Sequence, residues 1–161
     1  MAIIVEDGSI VTNANSYVSE AELAAYVAAR NITLTGTAAV LLIQAMDYIE
    51  SLQFQGIKTT RDQGLQFPRA YVEIDGYILD SHTIPKELKN GLMQTAIAID
   101  EGNDPLAPLT QKVKLEKVDV IEVEYMDGSS SQITPRAIIA ALYKLTIGGG
   151  PGGNTIKVRK A

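Results

Sequence analysis

The chain contains no cysteine and no tryptophan, and it has a single histidine. Without cysteine there can be no disulfide, no thiolate nucleophile and no zinc–thiolate centre. The lone histidine, His82, lies in "DSHTIP" just before a helix start. A catalytic histidine needs a nucleophile and an orienting partner, and nothing around His82 supplies a recognisable set, so it reads as a polar turn residue. No group of residues has metal-ligand spacing, and the close acidic pairs have the spacing of solvated faces. Neither a catalytic residue nor a metal or cofactor site is expected. Aromatic residues make up only 6%, and no basic stripe interleaved with them marks a nucleic-acid surface. No apolar run approaches the length of a membrane span. The opening "MAIIVEDGS" lacks the basic region of a secretory signal, so synthesis in the cytosol and no membrane partner are expected.

What remains is ordinary globular material. The 161 residues are 46% hydrophobic and 20% charged, enough for one domain with its own core. The net charge of −5 is unevenly spread. Residues 1–109 hold 6 Lys+Arg against 14 Asp+Glu, and residues 110–161 hold 8 against 5. The body is therefore acidic and the C-terminal third basic, which points to an acidic surface as that third's partner.

Periodicity gives about four helices. Ser19 followed by Glu22 is a capping box that starts a helix over Glu20 to Arg30, with Asn31 as its stop. Thr37 can cap a second helix whose apolar residues, from Val40 to Leu52, cover too much of its surface for a helix mostly in water. It should be central, or meet another subunit, and Gly56 should end it. Pro85 opens a third helix with Leu88, Leu92, Ala96 and Ile99 on one face. Gly91 in its middle costs about 1 kcal/mol relative to alanine, which close packing against another helix would offset. Pro135 to Leu145 reads as a fourth.

Between these helices the β signals are short. Ala2 to Val5 and Ile10 to Thr12 could be strands around Asp7-Gly8. Residues 56–83 are loop-like, apart from Tyr71–Ile74 and Tyr77–Asp80 around Asp75-Gly76, a type I′ hairpin signal. Lys112 to Gly128 is rich in β-formers, but its alternation slips phase twice. It carries bulges, or it is an arm that changes partners along its length. "GGGPGGN" is a flexible linker, and "TIKVRKA" follows as a short amphipathic tail. Gly148 to Thr155 mimics a phosphate-binding loop but has Asn154 in place of the lysine, and it lacks the strand before and the helix after. The expected fold is mainly α: a small helical bundle with a β-hairpin, an extended β arm and a flexible C-terminal tail. The expected division is a helical core over 1–109 with the hairpin at 71–80, an arm and short helix over 110–147, and a linker and tail over 148–161.

The most rigid tripeptide, Phe67-Pro68-Arg69, sits between a glycine-marked loop and the hairpin. Pro68 fixes its own backbone and restricts Phe67, and Arg69 offers five donors in a planar fork. Phe67 can plug the core while Arg69 pins the loop to helix ends or carboxylates. Alternatively the triplet meets a partner, since aromatic residues and arginine dominate interface hot spots.

Three stretches resemble a family: "NSYVSEAELAAYVAARN" at 15–31, "DQGLQFPRAYVEIDG" at 62–76 and "IPKELKNGLMQTAIAI" at 84–99. They are similar to head-tail connector, or adaptor, proteins of tailed bacteriophages, some of which carry the label of DnaT-like single-stranded-DNA-binding proteins. The likeness covers about Asn13 to Gly102, and Phe67 stands where the family more often has tryptophan. It implies a structural virion protein without catalysis or cofactor, located at the head-tail junction and assembled in the host cytoplasm. It implies a homo-oligomeric ring, typically of twelve copies, under the portal protein. Other partners would be tail or stopper and tail-terminator proteins, with genomic double-stranded DNA passing through ungripped. On this reading Phe67, Pro68, Arg69, Tyr71 and Tyr77 form a structural or interface loop. The tail residues Ile156, Lys157, Val158, Arg159 and Lys160 dock on the portal. The alternative is a single-stranded-DNA-binding replication accessory. Tyr71 and Tyr77 could stack bases, but Glu73, Asp75 and Asp80 surround them and would repel phosphates. Only the tail, with Lys157, Arg159 and Lys160, looks compatible, and little binding to an oligonucleotide is expected.

Overall fold

Ser19 starts the first helix as its sequence predicts. In the computed structural model, which describes residues 2–107 and 135–147, the Ser19 hydroxyl accepts the Glu22 amide at 3.1 Å, and the Glu22 carboxylate accepts the Ser19 amide at 2.8 Å. Helix α1 (Glu20–Ala28) follows. It closes two residues earlier than expected, because Asn31 takes a left-handed conformation with φ 54°. The Ile32 amide then donates to Val27 O and the Asn31 amide to Ala28 O, a Schellman closure.

Helix α2 (Ala38–Ser51) buries Leu41, Leu42, Ala45, Met46, Tyr48 and Ile49. It packs against α1 and against α3 (Lys86–Asp100). Its broad apolar surface is thus covered largely within this chain. Thr37 occupies the N-cap without a side-chain bond. Asp100, the last residue of α3, holds the entrance instead. Its carboxylate accepts from the Thr35 amide at 2.9 Å, the Gly36 amide at 2.7 Å and the Thr35 hydroxyl at 2.9 Å. These bonds hold the Asp100 carboxyl below its usual pKa.

The helix ends at Ser51, so Gly56 is not its stop. Gly56 has φ 69°, and a Cβ there would lie 2.1 Å from Ala70 O. It is needed for a strand pairing that the sequence did not signal: β1 (Ile57–Lys58) runs antiparallel to β2 (Arg69–Ala70). Next come β3 (Glu73–Ile74) and β4 (Tyr77–Ile78), antiparallel around Asp75-Gly76. Both turn residues have positive φ, 53° and 87°, as a type I′ turn requires. The ladder is shorter than the predicted Tyr71–Asp80, although the Leu79 amide still donates to Val72 O at 2.8 Å.

Pro85 caps α3, whose Leu88, Leu92 and Ala96 are fully buried. Gly91 faces α4 (Arg136–Leu142). Ile138, Leu142 and Leu145 join the same core as α1–α3, each worth about 1.5–3 kcal/mol when fully buried. After α4 the chain lies antiparallel to the segment leaving α2. The Gln55 amide donates to Leu145 O at 2.9 Å and the Ile147 amide to Gln53 O at 3.0 Å. Residues 135–147, grouped by sequence with the arm, therefore pack with residues 2–107.

The predicted N-terminal strands do not form; only an isolated bridge joins Val5 to Ser16. Glu6 is the reason. Its buried carboxylate accepts the amides of Gly8, Ile10 and Val11 at 2.8–2.9 Å, which coils the loop and leaves no ladder for Ile10 to Thr12. The described residues are thus a small helical protein of four helices and two two-stranded antiparallel sheets. The arm at Lys112–Gly128, the linker and the tail lie outside them.

Candidate functional site

Two layers make up the region around the hairpin, a buried clamp and an exposed rim. The clamp is the loop from Gln63 to Arg69. The Gln63 side chain accepts the Thr60 amide at 3.0 Å and donates to Leu65 O at 3.0 Å and Pro68 O at 2.9 Å. One buried amide thus satisfies several loop groups at once. Phe67, joined to Pro68 by a cis bond, is fully buried. Its ring meets Tyr17 at 6.3 Å and Phe54 at 5.1 Å, both edge-on, a favoured aromatic geometry. The Phe67 amide donates to the Tyr17 hydroxyl at 3.0 Å, and that hydroxyl donates to the Glu50 carboxylate. Burial, and then the neighbouring Glu50, pushes the Tyr17 phenol far above its usual value. Burial also raises the Glu50 carboxyl, against the opposing pull of its Tyr17 and Gln66 bonds.

Arg69 completes the clamp. Nε donates to Gln55 O at 2.7 Å, Nη2 to Gly56 O at 2.8 Å, and Nη1 to Gln66 Oε1 at 2.8 Å. Burial lowers its pKa, opposed by the nearby Tyr17 and Glu50. The expected anchors were helix ends or carboxylates. The acceptors are instead carbonyls beyond the end of α2 and one side-chain amide. A planar fork suits them because carbonyls in a bend diverge, and several N–H vectors can each meet one.

The rim carries the exposed rings. Tyr71 is 73% exposed and Tyr77 79%. Tyr71 has φ 62°, so the chain turns between β2 and β3, leaving Tyr71 outward while Val72 is fully buried. Ile57 and Ile78 are also exposed. Lys58 and Arg61 lie on and just after β1, and Glu73, Asp75 and Asp80 stand between and beside the tyrosines. Lys144, just after α4, reaches Asp75 in the hairpin turn at 2.7 Å. Its ammonium stands 5.9 Å from the ring of Tyr143, itself half exposed. No local signal could have placed Lys144 here, since it is 69 residues from Asp75.

Of the predicted site residues, Phe67, Pro68 and Arg69 are buried and Tyr71 and Tyr77 exposed, two layers of one loop-and-hairpin unit. Ile156, Lys157, Val158, Arg159 and Lys160 lie outside the described residues. His82 is a turn residue whose Nδ1 is 3.3 Å from Gly8 O. Among the described residues no group of His, Asp and Glu could hold a metal ion, and no helix is long and apolar enough to cross a membrane. Exposed π faces suit stacked bases, while the acidic residues beside Tyr71 and Tyr77 do not suit phosphates.

A protein-family model described as "Putative DnaT-like ssDNA binding protein" matches residues 1–161. No curated protein and no solved structure matches the chain. The family match overturns the head-tail connector reading, together with its ring, its portal and tail partners and its ungripped DNA. The match spans the whole chain, including the segment after Gly102 that the connector resemblance did not reach. The physical arguments for the connector also weaken, since α2 is covered largely by α1 and α3. The chain belongs to this DnaT-like ssDNA binding protein family.

Proposed function

We propose that the protein binds single-stranded DNA as a replication accessory, stacking bases on Tyr71 and Tyr77. The observation that carries this reading is the pair of exposed tyrosine rings, Tyr71 at the bend before the hairpin and Tyr77 on it, next to a buried clamp. Base–aromatic stacking is worth about 1–3 kcal/mol per base and tolerates any sequence. A platform that is already rigid spends little of that on ordering itself. Its role is binding, without a covalent step.

The charge pattern shapes the mode. Glu73, Asp75 and Asp80 repel phosphates near the rings, so the backbone must be met away from them, by Arg61 and Lys144. The basic residues of the C-terminal third add to that attraction. Stacking therefore carries a larger share of affinity than charge does, and the salt dependence is shallow for a DNA-binding protein.

The test is fluorescence anisotropy with a labelled oligo(dT) and a duplex of equal length, across a range of salt. The protein should prefer the single strand. Tyr71→Ala with Tyr77→Ala should weaken binding about tenfold or more, at 1.4 kcal/mol per factor of ten, with an unchanged circular dichroism spectrum. No binding at low salt, or binding indifferent to both tyrosines, overturns the reading.

A further inference from the structure

We propose that Asp75 is an internal competitor for single-stranded DNA, holding Lys144 in the place a phosphate would take beside the hairpin turn. The inference rests on the single-strand reading above and assigns it a phosphate contact and a built-in brake.

The geometry is specific. Asp75 occupies the first central position of the hairpin turn, two residues from Tyr77. Its carboxylate meets the Lys144 ammonium at 2.7 Å. The two are 69 residues apart in the chain, one in the hairpin and one in the segment after α4. The Asp75 side chain is 65% exposed and that of Lys144 30%. The carboxylate is thus the wetter partner, and the lysine stem is held against the body. Tyr143 stands next to the ammonium, and Glu87 of α3 adds a second negative charge acting on it. Beside one exposed ring, Tyr143, therefore stands a cation already bound to an anion of the hairpin turn.

An exposed ion pair is weak, so an incoming phosphate can displace the carboxylate. A lysine gives no directional fork to lose, because its ammonium is a point charge on a flexible stem. While bound, Asp75 both occupies that charge and repels the strand. Each phosphate neutralised adds about 0.7 to the salt slope for a single strand. Losing Lys144 should therefore be visible in the slope, and losing Asp75 in the affinity alone.

The experiment uses the full chain and oligo(dT), with dissociation constants measured at several salt concentrations. Asp75→Asn keeps the turn, because Asn-Gly is the most favoured type I′ pair. It should bind roughly two- to fivefold tighter, the fold-change equivalent of a surface ion pair, with an unchanged slope, because Lys144 meets a phosphate in both proteins. Lys144→Gln should weaken binding and flatten the slope by about 0.7. In the Lys144→Gln background Asp75→Asn should gain little. Glu73→Gln makes the same charge change nearby, and its smaller gain should persist in that background. If the parent binds and Asp75→Asn gains as much without Lys144 as with it, the competitor role is wrong while the single-strand reading stands. If neither the parent nor Asp75→Asn binds oligo(dT), both fall.

Discussion

Gly91 of α3 lies directly under Leu142 of α4: a Cβ on Gly91 would come within 2.4 Å of Leu142 Cδ2 and 2.7 Å of its Cγ. The glycine lets two helices approach where any side chain would hold them apart. In an open helix, Gly→Ala gains up to about 1 kcal/mol. Here Gly91→Ala should instead destabilise, by about 1–3 kcal/mol for an overpacked core. Urea unfolding reads the sign. Adding Leu142→Ala should cost less in the Gly91→Ala background than in the parent, because the two changes share one space. A gain in stability from Gly91→Ala alone would refute this contact.

Phe67 is fully buried against Tyr17 and Phe54. Phe67→Ala should therefore cost about 3–5 kcal/mol in chemical denaturation. A loss below about 1 kcal/mol would place the ring at the surface, which is the range for substitutions away from packed sites.

Arg69→Lys keeps the charge and loses the fork. A lysine cannot reach Gln55 O, Gly56 O and the Gln66 side chain together, and hydrogen bonds from charged donors are worth about 1.5–3 kcal/mol each. A loss of about 2 kcal/mol or more is expected in urea unfolding. A neutral outcome would mean that charge alone holds the loop.

Asp100 joins α3 to the entrance of α2, and its pKa lies below the ordinary 3.8. For a carboxylate depressed by folding, stability is present above the unfolded pKa and is lost as pH falls through the folded one. Asp100→Asn should lower Tm at neutral pH. Its deficit against the parent should shrink as pH drops below about 3.8 and onward through the lowered value. A deficit that stays constant down to pH 2 would assign the effect to shape and not to charge.

The helices were readable because their signals are local. Ser19 and Glu22 specify a cap within four residues, and Asp75-Gly76 specifies a turn within two. Gly91 was legible as a packing glycine but not as Leu142's neighbour. What the sequence concealed is non-local. The β1–β2 pair needs Gly56 to meet a carbonyl fourteen residues on. The Asp100 cap on α2 joins residues about 65 apart. The N-terminal strands failed because one buried carboxylate, Glu6, takes the amides that a ladder would need. The triplet Phe67-Pro68-Arg69 was recognisable as rigid, but whether it faced the core or a partner depended on Tyr17 and Phe54, neither adjacent in sequence. The functional rim divides in the same way: Tyr71 and Tyr77 could be picked out, while Lys144 enters only through the fold.

Among the described residues no cation pairs with the buried Glu6 carboxylate. It is balanced by three peptide N–H dipoles. Dissolved ions screen one mobile charge from another, but they do not replace amides fixed around a buried carboxylate. The clasp at the start of the chain should therefore keep its shape in brine strong enough to loosen the surface Lys89–Glu22 pair.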